Sequence, residues 1–128
     1  MAQCIDHIEL IVSDVEPYVQ LFEKLGFKLL TRTSHHGESV ELQLPGPNQP
    51  IFEIHQVGGE ENIGVNHIAF QVDDAHQTYE ELKDAGVTFD GGPTFVEASG
   101  RLVVNFRDPD GWRLQLADAK RKTPSMTP

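Results

Sequence analysis

Two stretches of this chain repeat one another, and that repeat limits the fold more than any other feature. Ile5 to Leu29 aligns without gaps on Val65 to Phe89, at an offset of 60 positions. His7 falls on His67, Ile8 on Ile68, Val12 on Val72, Asp14 on Asp74 and Gly26 on Gly86. Each copy opens on a short β-rich run, IDHIELIV or VNHIAFQV, with histidine third. Each run ends at Ser13-Asp14 or Asp73-Asp74, side chains that accept hydrogen bonds from the free amides of a helix start. A helix follows in each copy. Val15, Val19, Phe22 and Leu25 are spaced to form one apolar stripe, and Ala75, Tyr79, Leu82 and Ala85 match them. Pro17 lies in the first turn, where a missing amide costs little. Gly26 and Gly86 supply the left-handed residue that stops each helix.

Three strand-like segments follow each helix. They lie near Lys28–Arg32, Val40–Leu44 and Ile51–His55, then near Thr88–Phe89, Leu102–Arg107 and Trp112–Ala117. In these later strands the offset between copies becomes 62, so Leu44 falls on Phe106 and Glu53 on Gln115. The period-two alternation of Val40, Leu42 and Leu44, and of Leu102, Val104 and Phe106, gives each strand one face for packing. Turn formers join the segments, among them His36-Gly37, Pro45-Gly46-Pro47-Asn48, Gly91-Gly92-Pro93 and Pro109-Asp110-Gly111. The expected fold is α+β: two tandem βαβββ modules, residues 4–57 and 64–118, joined by a linker around Gly58–Gly64 into one domain of residues 1–118. Residues 119–128, with Lys120 to Lys122, read as a flexible C-terminal tail.

The chain has 128 residues and a formal net charge of −10, which excludes a broad basic footprint for nucleic acid and disfavours an anionic membrane surface. The one cysteine, Cys4, rules out a disulfide framework within the chain and a Cys-rich zinc site. Asp6, His7 and Glu9 interrupt any apolar run at the start, so neither a signal peptide nor a membrane span fits, and the expected compartment is the cytoplasm.

The alternation also sorts the polar side chains. Ile8, Leu10 and Val12 share the face that packs on the helices, as do Phe52, Ile54, Leu114 and Leu116. His7, His67, Glu53 and Gln115 then project from the opposite face at repeat-related positions. A lone strand histidine is ordinarily a satisfied core or surface residue, and a lone glutamate a solvated one. Here the histidine recurs within a whole repeat. Two neutral imidazoles with oxygen ligands suit a divalent transition metal that leaves positions open for substrate. His55 shares the Glu53 face and could replace or supplement a ligand. His35-His36 reads as a solvated turn, His76 as exposed, and Trp112 as a lid over the core edge.

These pieces resemble the vicinal oxygen chelate superfamily, which includes glyoxalase I, methylmalonyl-CoA epimerase, extradiol dioxygenases, fosfomycin-modifying enzymes and bleomycin-binding proteins. The carrying motifs are DHIELIVSD at Asp6–Asp14, VNHIAFQVDD at Val65–Asp74 and FRDPDGWRLQL at Phe106–Leu116, and the likeness runs from Ile5 to Asp118. The resemblance implies that the modules curl a mixed sheet into an open cup with helices outside. It implies metal ligands at His7, Glu53, His67 and Gln115, for Zn, Ni, Fe, Mn or Co. This sequence departs from the family at Gln115, where metal-dependent glyoxalases and epimerases usually carry glutamate. A carboxamide can ligate but cannot act as a base near pH 7. Glu53 is therefore the candidate base. Arg32, Arg101 and Arg107 are candidates for holding a substrate carboxylate or phosphate, and Arg101 and Arg107, on the presumed cup face, have the better case.

Three functions are compatible with this set. The first is a glyoxalase-like lyase or isomerase that uses a divalent metal ion on a small substrate with adjacent oxygens, through an enediolate. The second is an iron-dependent ring-cleaving dioxygenase, whose triad would be His7, His67 and Glu53. The third is a non-catalytic small-molecule binding protein of the bleomycin-resistance type, although such members typically lack the ligands present here. Superfamily members are often dimers, so a two-fold homodimer is expected.

Overall fold

The computed structural model describes residues 1–34 and 37–119. The expectations for the His35-His36 turn and for the tail beyond Ala119 lie outside the described residues. The elements run β1 (Cys4–Val12), α1 (Val15–Lys24), β2 (Lys28–Thr33), β3 (Ser39–Gln43) and β4 (Ile51–Gln56). The second series is β5 (Gly64–Val72), α2 (Ala75–Asp84), β6 (Thr94–Val96), β7 (Arg101–Arg107) and β8 (Arg113–Asp118). The fold is α+β, built from two βαβββ series. None of the described helices is long and apolar enough to cross a membrane.

Contacts divide the chain into two compact units, Asp6–Ile68 and a second made of Met1–Ile5 with the residues from Ala69 onward. The division falls inside β1 and β5 rather than in the linker. The reason is strand pairing at the start of the chain, where the Gln3 amide donates to the Gln71 carbonyl at 2.8 Å. In the first unit the strand order is β2-β3-β4-β1-β5, and in the second β1-β5-β8-β7-β6. The sheet is mixed: β1 runs parallel to β4, while β2, β3 and β4 pair antiparallel, as do β6, β7 and β8.

The repeat reappears in the hydrogen bonding. The Val57 amide donates to the Val12 carbonyl and the Ala119 amide to the Val72 carbonyl, both at 2.7 Å. These two bonds carry the offset of 60 at the first strand and 62 at the last. The middle strands differ from expectation. Glu41 lies opposite Glu53 and Asn105 opposite Gln115, an offset of 64, so Phe106 corresponds to Leu42 and not to Leu44. The second hairpin closes over residues 108–112, two fewer than the 44–50 loop of the first, and that shortening moves the register.

Both helices start on an aspartate with extended backbone, Asp14 and Asp74, whose side chains accept from the Glu16 and Gln77 amides. Both stop before a glycine at positive φ, Gly26 at 101° and Gly86 at 95°. In the first unit Val12, Val15, Val19, Val40, Leu42 and Ile54 form the buried core. In the second Val72, Ala75, Val104 and Leu116 do so, with Tyr79, Leu82 and Phe89 packed against them. Three expectations need correction. Leu25 is 62% exposed, because it caps the helix C-terminus and lies about 80° around the helix from Val15 at 100° per residue. Trp112 is 67% exposed and covers no core edge. The sixth strand is Thr94–Val96, not Thr88–Phe89. Phe89 makes only an isolated bridge to Phe106 and turns its ring into the core against Tyr79, after which Gly91-Gly92-Pro93 interrupts pairing.

Candidate metal centre

The first unit holds His7, Glu53, His55 and His67, and strand register explains how they are arranged. On β1, Ile8, Leu10 and Val12 alternate with His7, Glu9 and Ile11. The parallel pairing sets Glu9 beside Glu53 on β4, and the antiparallel pairing sets Glu41 on β3 beside Glu53. Three carboxylates thus stand in one cross-strand row. Together with Thr31, Thr33, Ser39 and His55 they line a cavity of about 70 Å³. Like charges directly opposite one another are unfavourable on a sheet, so the row calls for positive or hydrogen-bonding partners.

Imidazoles meet that need at Glu9. One of its carboxylate oxygens lies 3.3 Å from His67 Nδ1 and the other 3.7 Å from His55 Nδ1. His55 Nε2 lies 3.0 Å from Glu61, whose other oxygen accepts from the Gly58 amide at 3.0 Å. His55 is therefore held among carboxylates on both sides of its ring.

His7 and His67 come together. Both are buried, and their Nε2 atoms are 3.1 Å apart with the rings edge to face. Each Nδ1 is 2.7 Å from an oxygen of the preceding residue, Asp6 Oδ2 for His7 and Asn66 Oδ1 for His67. A carboxylate oxygen or an amide carbonyl oxygen only accepts, so each Nδ1 donates. Each Nε2 of a neutral ring then carries a lone pair, and the two lone pairs face one another. A cation between them would turn that repulsive contact into an attractive one. Two nitrogens bound at about 2.0–2.1 Å to one ion stand roughly 2.9 Å apart at a right angle and roughly 3.4 Å apart at a tetrahedral angle. The observed separation falls in that interval, and the donor set fits a divalent transition metal.

The other sequence candidates are placed differently. Glu53 Oε2 lies 3.9 Å from His7 on the Nδ1 side of the ring. His7 pairs with Ile51, so Glu53 stands two residues further along β4 than the partner of His7. Among the described residues no three His, Cys, Asp or Glu side chains converge as a chelating group in these rotamers. Gln115 belongs to the second unit, where it is buried and its Nε2 donates to Asn105 Oδ1 at 3.1 Å. Arg101 Nε donates to the Asp118 carbonyl at 2.8 Å. Arg107 pairs with Asp90 at 3.2 Å and donates to the Gly111 carbonyl. His76 is exposed.

Asp6 and Asn66 were passed over in the sequence. Their signal was present: they occupy repeat-related positions, each directly before a histidine.

The family model for the glyoxalase/bleomycin resistance protein/dioxygenase superfamily matches residues 4–116. A lactoylglutathione lyase of Salmonella typhimurium is 31% identical over 126 residues, covering 89% of this chain and 91% of that protein. The lactoylglutathione lyase of Escherichia coli O157:H7 has the same identity and coverage. Among solved structures, a methylmalonyl-CoA epimerase in complex with methylmalonyl-CoA superimposes with a TM-score of 0.76 at 18% identity, over 97% of this chain and 100% of that one. The epimerase of Mycobacterium tuberculosis gives 0.77 at 15% identity, over 94% and 91%. The chain belongs to the glyoxalase/bleomycin resistance protein/dioxygenase superfamily.

Proposed function

We propose that this protein is a divalent-metal-dependent lyase or isomerase of the glyoxalase type, acting on a small substrate that carries adjacent oxygens. The observation that carries the reading is the facing imidazole pair, with Nε2 atoms 3.1 Å apart and both Nδ1 atoms committed to oxygen partners. His7 and His67 would hold the ion, and Glu53 is the third ligand once its carboxylate leaves the Nδ1 side of His7. Gln115 is the remaining candidate. A bound divalent ion supplies Lewis-acid polarisation of a substrate carbonyl. The resemblance to lactoylglutathione lyases supports proton-transfer chemistry over ring cleavage.

In this reading Glu53 is the general base. Its side chain is 34% exposed, so it reaches solvent and substrate where the buried histidines do not. It takes the proton from the hydroxyl-bearing carbon beside the carbonyl and returns it to the carbonyl carbon, while the hydroxyl proton passes to the former carbonyl oxygen. Glu41 and Glu9, in the same row, are the carboxylates that could act in its place. The test is Glu53→Gln, assayed on hemithioacetals with metal content measured in parallel. Loss of a general base costs about 10²–10⁴ in rate, so activity should fall by that order with metal retained. Normal turnover with full metal would move the base to Glu9 or Glu41. If the wild type turns over neither hemithioacetals nor catechols, the binding-protein reading replaces this one.

A further inference from the structure

The residues that precede the two histidines do the same job in both copies. Asp6 and Asn66 share a repeat position, and each sets an oxygen 2.7 Å from the Nδ1 of the histidine after it. The Asp6 and His7 side chains are 8% and 9% exposed, so this contact is shielded from water. Neighbouring residues on a strand ordinarily point to opposite faces. A side chain that reaches its neighbour's ring on both β1 and β5 is therefore not a by-product of the pleat. At His67 a second oxygen, from Glu9, lies 3.3 Å from the same nitrogen.

We infer that Asp6 and Asn66 are positioning residues that fix His7 and His67 in the Nδ1–H tautomer and aim both Nε2 lone pairs at one point. This rests on the metal-site reading for its consequence, though the tautomers can be observed without metal. The physical reason is donor inventory. Histidine free in water favours the Nε2–H tautomer, and that form would turn an N–H toward the other ring and leave no lone pair for a cation. An acceptor at Nδ1 reverses the preference, orients the ring and raises the basicity of Nε2. The two copies use different acceptors. A carboxylate backs His7, whereas a neutral amide backs His67, with the Glu9 carboxylate beside it.

The experiment uses the full chain, labelled with ¹⁵N at histidine, first without metal at alkaline pH and then with Zn²⁺. Long-range proton–nitrogen correlation reads the tautomer of each ring. Both His7 and His67 should be Nδ1–H in the wild type, and the assignment is overturned if either is Nε2–H. Asp6→Ala and Asn66→Ala should each shift their own histidine toward Nε2–H. Each should also lower Zn²⁺ affinity, measured against a chelator, by about 10–100-fold. Asp6→Asn and Asn66→Asp keep an acceptor oxygen and should stay within a few-fold of the wild type. Alanine variants with unchanged tautomers and unchanged affinity would reject the inference. If one alanine variant does not fold, the other variant and the wild-type tautomers still decide. A wild type that shows both Nδ1–H tautomers yet binds no Zn²⁺ would remove the metal reading and leave the positioning role standing.

Discussion

Glu53 and Gln115 occupy one repeat position and differ in charge. If Gln115 holds the ion, Gln115→Ala should weaken metal binding, which equilibrium dialysis would measure. Gln115→Glu should keep or increase activity on glyoxalase-type substrates, because it places a second carboxylate at the repeat partner of Glu53. A different buried residue sets stability. Asp118 is 1% exposed and accepts from the Ala75 amide at 2.7 Å and the Leu102 amide at 3.2 Å. It thereby satisfies an orphan amide in the first turn of α2 and an amide at the start of β7. Asp118→Ala leaves both donors without that acceptor in a dry site. The expected cost is on the order of 3 kcal/mol in urea unfolding, and a loss under 1 kcal/mol would show that water replaces the carboxylate. At this scale the sequence singled out His7, His67 and Glu53 as candidates through the repeat and placed them on one face of their strands. It did not reveal Asp6 and Asn66, because strand alternation gives no reason to expect hydrogen bonds between adjacent side chains.

At the scale of elements, the two helix starts look equivalent in sequence and differ in strength. Asp74 accepts from the Gln77 amide at 3.0 Å, three residues on. Asp14 cannot do the same, because the residue three positions on is Pro17, which has no amide hydrogen. It reaches instead to the Glu16 amide at 3.4 Å. Asp74→Ala should therefore cost about 1 kcal/mol, and Asp14→Ala clearly less. Thermal melts of the two variants side by side would check the order, and equal losses would contradict it. Arg32 adds a surface contact to α1 through its guanidinium on the Glu16 carboxylate, and that hydrogen bond, with the nearby negative charge, raises the Arg32 pKa. Helix boundaries and most strands were legible here because caps, glycines and periodicity are local signals. The shift in β3 and β7 was not, because register depends on how many residues each hairpin turn consumes.

For the molecule as a whole, metal binding and assembly are the measurable consequences. A ligand that binds only the folded state stabilises it by about 2.7 kcal/mol at a hundred times its Kd. Zn²⁺ or Ni²⁺ should therefore raise the Tm of the wild type, and His7→Ala or His67→Ala should abolish the shift. An equal shift in all three proteins would place the ion elsewhere. In sedimentation the 14.3 kDa chain should run as a dimer at tens of micromolar, and a single species at monomer mass would reject the two-fold assembly.

The sequence by itself determined the repeat, the α+β class, the order of elements, and which strand face carries histidine and glutamate. Those follow from local chemistry and from spacing that survives in one dimension. Only the tertiary structure decided that the two imidazoles meet through Nε2, that Glu9 joins His55 to His67, and that Glu53 lies on the Nδ1 side of His7. Periodicity assigns a side chain to a face. Which atoms then touch is set by strand register, rotamer and the nearest acceptor, and these exist only once strands distant in sequence have paired.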